Sequence, residues 1–130
     1  MTNMKTKHVP SLELCQEFDT LCKEKGIVVP ETEFYWNIKN KTLTSKPYRY
    51  IHTTKYSNLP APLVSELGEW LPRKYKTIYF DTIREAGKWR MTYTDQIKKE
   101  YLEVFEEPTE ANARMKCLSY LIAEGIITTL

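Results

Sequence analysis

The 130-residue sequence predicts a single α+β domain in which an antiparallel sheet of about four to five strands packs against helices. Segments with an apolar residue at every second position, typical of strands, alternate with segments whose apolar residues recur at helical spacing. Short connections join the strand segments, which favours antiparallel pairing. The predicted order is α-β-β-α-β-β-(β)-α. This domain is expected over residues 10–130, and the basic residues 1–9 are expected to form a flexible tail.

The first helix is predicted over residues 11–25. Leu14, Phe18 and Leu21 fall at positions i, i+4 and i+7, which gives the helix one apolar face. The serine at its start can accept a hydrogen bond from the first turn, and Gly26 favours an ending in the left-handed conformation. Both ends of this helix are therefore predicted from local residues.

Two strands and a connecting loop are predicted next. Residues 32–39 place Phe34 and Trp36 on one face, at the alternating spacing of a strand. Residues 48–54 are expected to form a second strand, and NKTLTSKP at residues 40–47 carries the turn-forming residues of a hairpin loop. The short loop predicts that the two strands pair antiparallel.

The segment PAPLVSELGEWLP at residues 60–72 predicts a short helix bounded by prolines. Such a helix is too short to be stable alone in water, so Leu67 and Trp70 are expected to pack against a larger element, most simply the sheet. Gly68 destabilises a helix by roughly 1 kcal/mol relative to alanine, which favours close backbone approach by a neighbour. The alternative is a docking helix that exposes Trp70 to a partner, but burial in the core is the favoured interpretation.

Residues 77–83 and 88–93 predict a second pair of strands, joined by EAGK, in which a glycine suits the hairpin turn. Trp89 lies on the apolar face of the second of these strands. Residues 101–106 fit either a further strand or one face of a helix. A strand is preferred because Pro108 follows closely and the next helix has its own start.

The last helix is predicted over residues 109–124. Thr109 can cap its first turn, and Glu110 places negative charge at the positive end of the helix dipole. Gly125 repeats the ending that is predicted at the first helix. Across all elements, the predicted core contains Leu14, Phe18, Leu21, Trp36, Leu67, Trp70, Trp89, Met115, Leu118 and Leu121.

Charge and cysteine usage give no sign of a ligand. The formal net charge of +2, from 19 basic and 17 acidic residues, is no reason by itself to expect a nucleic-acid partner. Cys15, Cys22 and Cys117 each lie within a helical apolar pattern, so they are expected to be small buried residues. A metal site is the alternative, but neither histidine lies at ligand spacing from a cysteine. The sequence therefore predicts no metal and no cofactor.

Motifs typical of catalytic sites are absent from the sequence, which has no GxSxG, HExxH, GxGxxG or P-loop pattern. His8 falls in the expected tail and His52 in a predicted strand. Glu66 and Glu69 are interpreted as a solvated helix face, with a glycosidase-type carboxylate pair as the alternative. The longest apolar run, at residues 120–123, is far shorter than a membrane span. The sequence therefore predicts a cytosolic protein and no enzyme.

A basic and aromatic stretch carries the alternative functional signal. KPYRYIHTTKY at residues 46–56 interleaves cations with tyrosines, and RKYK at residues 73–76 adds further cations. Aromatic rings can stack on bases while cations contact phosphates. The favoured interpretation is structural, because tyrosines also pair across strands and lysines protect sheet edges. The candidate nucleic-acid contacts are Lys46, Tyr48, Arg49, Tyr50, Arg73 and Lys74.

Five blocks spread over nearly the whole chain carry a resemblance to a known family: LELCQEF, FYW, PAPLVSELGEWLP, GKWRMTY and PTEANARMKCLSYLIAEG. The chain resembles a family of small uncharacterised proteins encoded by bacteriophages, prophages and mobile regions of bacterial genomes. The ELGEWLP and TEA.AR...L.YL blocks are the most specific parts of the resemblance. Leu63 and Asn112 stand where a small polar residue and an acid are expected.

The resemblance implies a genomic setting and a fold, and it implies no activity. Together with the lack of a catalytic motif, it predicts a non-enzymatic accessory protein of phage or prophage type. We expect this protein to act in the cytoplasm of a bacterial host by binding a protein partner, away from any membrane. The alternative is a single-stranded nucleic-acid-binding protein that uses the segment at residues 46–56.

Overall fold

The computed structural model describes residues 8–45, 58–72, 74–75, 78–85, 87–95 and 100–130. These residues form three helices and seven strands, which confirms the predicted α+β class. The helices are α1 (Leu12–Lys25), α2 (Val64–Trp70) and α3 (Glu110–Ala123). The strands are β1 (Phe34–Asn37), β2 (Thr42–Ser45), β3 (Asn58–Ala61), β4 (Lys74–Tyr75), β5 (Ile78–Glu85), β6 (Lys88–Asp95) and β7 (Glu100–Glu107).

The described strands form two antiparallel sheets, with the orders β2-β1-β3 and β4-β5-β6-β7. The prediction of antiparallel pairing is confirmed, and the second sheet has four strands as predicted, but the described strands form two sheets where the sequence predicts one. β2 and β3 pair with the two hydrogen-bonding edges of β1, which makes β1 the central strand of the first sheet. The spacing of apolar residues assigns strands but does not reveal which strands pair.

The first sheet differs from the sequence prediction in two of its strands. β2 lies within residues 40–47, which the sequence predicts as a loop, because the turn ends at Lys41 in a left-handed conformation with φ of 55°. The predicted strand at residues 48–54 lies outside the described residues. β3 contains Pro60, which has no N–H to donate and which the sequence analysis places at the start of the proline-bounded helical segment. The proline is tolerated because β3 is an edge strand.

The second sheet follows the sequence prediction closely. β5 and β6 form the predicted hairpin, and Gly87 takes a φ of 77° in its turn. β7 confirms the strand that was preferred over a helix for residues 101–106. The pairing of β6 with β7 shifts register between Thr92 and Thr94, which marks a bulge. α3 contacts both β6 and β7 and so covers one face of this sheet.

α3 is the central helix of the fold, because it contacts α1 and α2 as well as the second sheet. Among the described elements α2 packs mainly on α3, whereas the sequence favours packing on a sheet. Leu67 of α2 is fully buried, and the half-buried Trp70 stacks on Phe18 of α1 with ring centroids 6.4 Å apart and planes 6° apart. The short helix therefore buries its apolar face between two longer helices, and Trp70 packs against the core instead of standing free as a docking anchor.

The helix ends confirm the capping residues that the sequence predicts. Ser11 Oγ accepts a hydrogen bond from the Leu14 N–H at 3.3 Å, and Thr109 Oγ1 accepts one from the Asn112 N–H at 3.2 Å. α1 ends at Gly26, which has a φ of 69°. The chain after α3 repeats this ending, with a left-handed glycine followed by a buried or half-buried isoleucine.

The core confirms most of the predicted set. Five of the predicted core residues are at most 1% exposed: Phe18, Leu67, Met115, Leu118 and Leu121. Trp36, also predicted, is 9% exposed. The half-buried residues that pack against this core are Leu14, Leu21, Trp70 and Trp89. Val9 is only 2% exposed and belongs to the same cluster, so the packed domain includes a residue of the segment that the sequence predicts as a flexible tail.

Candidate functional site

Two open clefts adjoin each other at the amino end of α3, where both are lined by Thr109. The first, which we call the hairpin cleft, has a volume of about 390 Å³ and is bordered by the β5–β6 hairpin and the start of α2. The second, which we call the turn cleft, has a volume of about 360 Å³ and is bordered by the β1–β2 turn and the start of α1. We call the two clefts together the groove.

The groove exists because the amino ends of α1 and α3 are held side by side. The Ser11 N–H donates a hydrogen bond to Asn112 Oδ1 at 2.9 Å, which joins residues 101 positions apart in the chain. The Trp36 indole donates from Nε1 to the Pro10 carbonyl at 2.9 Å. The chain just before α1 is therefore fixed between the start of α3 and the first sheet, and its residues line both clefts.

Where the second sheet borders the hairpin cleft, the cleft is lined by an arginine whose guanidinium lies over a tryptophan ring. Arg84 and Trp89 are directly paired across β5 and β6, and the guanidinium carbon of Arg84 lies 5.4 Å from the centroid of the indole. Arg84 is exposed and Trp89 is half-buried. Val64 and Pro108 line the same cleft and add apolar surface. This cleft therefore combines apolar surface with one accessible cation.

The carboxylate that borders the hairpin cleft is paired within the protein. Glu110 Oε2 accepts a hydrogen bond from Arg114 Nε at 3.0 Å, and both side chains are about four-fifths buried. The guanidinium of Arg114 continues across Gly68 of α2, where an added β-carbon would lie 2.8 Å from Nη1. The close approach at Gly68 is therefore made by this side chain, whereas the sequence favours approach by a backbone. The pairing balances the negative charge of Glu110 at the cleft.

Glu66 corrects an interpretation of the sequence, which assigned it to a solvated helix face. Its Oε1 accepts a hydrogen bond from the Leu63 N–H at 2.7 Å, and its Oε2 accepts one from the Glu33 N–H at 3.3 Å. One carboxylate thus caps the start of α2 and joins it to the chain before β1. The signal in the sequence was a glutamate in the first turn of a helix that lacks a side-chain cap of its own.

The turn cleft also combines an apolar wall with an accessible cation. Val9, Leu12 and Trp36 supply apolar surface, and the indole N–H of Trp36 is already bonded to the main chain. Lys41 is exposed at the end of the β1–β2 turn and lines this cleft, as does the exposed Glu13. Each half of the groove therefore carries one positively charged side chain at its border.

The three cysteines are buried and free, which confirms the sequence prediction. Burial raises the pKa of Cys15 to about 12, that of Cys22 to about 11 and that of Cys117 to about 12. The three thiols are therefore protonated at neutral pH. Since the thiolate is the nucleophile and the metal ligand, burial disfavours both chemistries at these cysteines at that pH.

The residues that the sequence suggests for nucleic-acid contact are not assembled by the described part of the structure. Lys46, Tyr48, Arg49, Tyr50 and Arg73 lie outside the described residues. Lys74 begins β4, where it pairs with the residue at position 79. The nucleic-acid interface therefore stays a prediction.

Sequence reasoning missed the residues that border the groove. His8, which the sequence assigns to a tail, is exposed and lines the hairpin cleft, whereas His52 lies outside the described residues. Arg84 and Lys41 belong to no motif, and only the fold brings them to one surface. Within the described ranges, no group of three or more His, Cys, Asp or Glu residues is placed to hold a metal ion.

Comparisons of the chain with protein-family models, with curated proteins and with solved structures gave no match. The family resemblance in the sequence blocks therefore stays a prediction. In the part of the chain that the structure describes, no helix has both the length and the apolar character needed to cross a membrane.

Proposed function

We propose that this protein is a protein-binding module that receives a segment of its partner in the groove. The observation that carries this proposal is the position of the groove, which lies where α1, α2, α3 and both sheets border one surface. Sites for small molecules are usually concave, mostly apolar and furnished with a few polar groups. Both clefts combine apolar with polar side chains, and both have volumes within the range of such sites, which is enough room for single side chains of a partner.

The groove is built from side chains whose own hydrogen bonds fix its shape. Thr109 caps α3, Asn112 accepts a hydrogen bond from Ser11, and Glu110 is paired with Arg114. A surface whose walls are fixed in this way binds without ordering many of its own side chains, which reduces the entropic cost of association. The arrangement supports recognition by shape and charge, which is the role that we propose.

The biological setting of the proposal comes from the sequence blocks. Their resemblance to small proteins of bacteriophages and prophages supports an accessory protein that acts in the cytoplasm of the host bacterium. The partner in this setting is a host or phage protein. The proposed activity is non-enzymatic, and it consists of holding that partner.

Site-directed photo-crosslinking tests this proposal in cells that express the protein. The photo-reactive residue p-benzoyl-phenylalanine replaces either Pro108, which is exposed and lines the hairpin cleft, or Val28, which is 84% exposed and lies outside the groove. We expect a discrete cross-linked partner from position 108 and none from position 28. The purified partner should then bind the unlabelled protein in solution.

A groove-filling variant is the control. Val64→Trp places a large side chain at the border of the hairpin cleft and changes no charge. We expect it to abolish the cross-link from position 108 while leaving the circular dichroism spectrum unchanged. Identical cross-links from positions 108 and 28, or no cross-link from either, would overturn the proposed function.

A further inference from the structure

We propose that the partner segment received by the groove is an acidic peptide in an extended conformation, which places a carboxylate near Lys41 in one cleft and near Arg84 in the other. This inference rests on the proposed protein-binding function and names the chemistry of the partner. It is argued from the charges, the apolar surfaces and the geometry of the two clefts.

The charges that border the groove favour a negatively charged partner. Lys41 and Arg84 are both exposed, and one lines each cleft. Of the two carboxylates at the groove, Glu110 is held by Arg114 at 3.0 Å, which leaves Glu13 as the opposing charge. Charge complementarity at an interface chiefly sets specificity and the rate of association, so this balance selects among peptides of similar shape.

The apolar surfaces require the partner to carry apolar side chains between its acids. Val64, Trp89 and Pro108 line the hairpin cleft, and Leu12 and Trp36 line the turn cleft. Each cleft is large enough to take a side chain of the partner. A partner segment must pass over Thr109 to reach both clefts, and an extended chain projects alternate side chains to the same side at spacings of about 7 Å.

The state of the two indoles favours a peptide over single-stranded nucleic acid. Binding of unpaired bases depends on open aromatic faces on which the bases stack. Arg84 covers one face of Trp89, and Trp36 is only 9% exposed. These rings offer edges and partly covered faces, which suit contacts with peptide side chains. The groove also carries fewer cations than a binding site that follows a phosphate backbone.

Selection from a random octapeptide library displayed on a carrier tests the inference without knowledge of the natural partner. The full-length protein is immobilised, and the enriched pool is sequenced. We expect Asp and Glu to be enriched at least twofold over the input library. A charge-reversed protein with Lys41→Glu and Arg84→Glu should instead enrich Lys and Arg. The matched control exchanges Lys39→Glu and Lys88→Glu, two exposed lysines outside the groove, and should retain the acidic pool.

The outcomes separate this inference from the function on which it rests. A pool without acidic bias, an unchanged pool from the charge-reversed protein, or no enrichment would overturn the acidic partner. Loss of the acidic pool in the Val64→Trp protein supports binding in the groove. A pool that is lost in Val64→Trp but lacks acidic bias keeps the protein-binding function and removes the acidic partner.

A fluorescently labelled oligothymidylate of 15 nucleotides tests whether the groove binds single-stranded nucleic acid instead of a peptide. We expect its fluorescence anisotropy to stay unchanged on addition of the protein at low salt. Binding that is at least tenfold weaker in the Lys41→Glu, Arg84→Glu protein would instead assign the groove to nucleic acid. That result would overturn both the acidic peptide and the protein-binding function.

Discussion

The guanidinium of Arg114 occupies the space that a side chain at Gly68 would need. A β-carbon on Gly68 would lie 2.8 Å from Nη1 of Arg114, closer than such contacts occur. The same guanidinium binds Glu110 one turn earlier in α3. The absence of a side chain at Gly68 thus leaves room for the guanidinium that pairs with Glu110, at the border of the groove.

This relationship predicts that Gly68 and Arg114 are energetically coupled. Gly68→Ala should gain about 1 kcal/mol from helix propensity only in an Arg114→Ala background, where nothing opposes the new methyl group. In the native background we expect most of that gain to be lost, because the displaced arginine weakens its pair with Glu110. A double-mutant cycle by urea denaturation measures this coupling. Equal gains in both backgrounds would contradict the contact.

Asn112 should tolerate an acid but not an alanine. Its Oδ1 accepts the hydrogen bond from the Ser11 N–H, and its position in the first turn of α3 favours negative charge. Asn112→Asp keeps the acceptor, so we expect its free energy of unfolding to match or exceed that of the native protein by up to about 1 kcal/mol. Asn112→Ala should lower it by about 1–2 kcal/mol, because the half-buried Ser11 N–H loses its partner. Equal stability of the two variants would argue against this bond.

Removal of the Trp70 side chain should destabilise the protein substantially. The indole stacks on Phe18 and packs against the core, so Trp70→Ala is expected to cost about 3 kcal/mol, at the lower end of the range for large aromatic residues because the side chain is half-buried. Trp70→Phe keeps an aromatic ring at this position and should cost less than half as much. Chemical denaturation followed by circular dichroism measures both changes. A loss below about 1 kcal/mol for Trp70→Ala would show that the helix is not an interior element.

The buried thiols predict that stability falls at alkaline pH. The pKa values of Cys15 and Cys117 are raised to about 12 in the folded protein, so the unfolded chain loses these protons at lower pH than the native one. Their contribution is therefore complete below a pH of about 8.5 and is lost as the pH rises toward the folded values. We expect the free energy of unfolding to decrease between pH 8.5 and 10, by at most about 1.4 kcal/mol per pH unit for each thiol.

A cysteine variant and a thiol reagent provide the checks on this prediction. Cys15→Ala should show a shallower decrease of stability with pH than the native protein, although it starts from a lower value. Ellman's reagent at pH 8 should label the three thiols only after denaturation. Rapid labelling of the native protein, or an unchanged slope in Cys15→Ala, would contradict the burial that raises these pKa values.

The helices could be predicted from sequence because local residues determine where they begin and end. Ser11 and Thr109 cap the helices that they precede, and Gly26 takes the left-handed conformation expected of it. The strand pairing could not be predicted, because pairing is a contact between distant segments. Pro60 illustrates the limit, since a proline argues against a strand until the position of that strand at a sheet edge is known.

The groove was beyond sequence reasoning for the same physical reason. Lys41, Arg84 and Thr109 are ordinary residues of a turn, a strand and a helix cap, and nothing in their local pattern marks them as neighbours. Glu66 was misinterpreted because its second acceptor contact is to the main chain at residue 33. A carboxylate that joins two distant segments looks, in the sequence, like any exposed glutamate.

The hydrogen bond between Ser11 and Asn112 closes a loop of 101 positions, and it completes the surface on which the proposed partner would sit. During synthesis on the ribosome, Ser11 emerges long before Asn112, so a nascent chain has no complete groove until α3 has emerged and packed. The proposed partner would therefore bind only after both segments have been synthesised and have packed together. Incomplete chains would not bind it, because the two segments are far apart in the sequence.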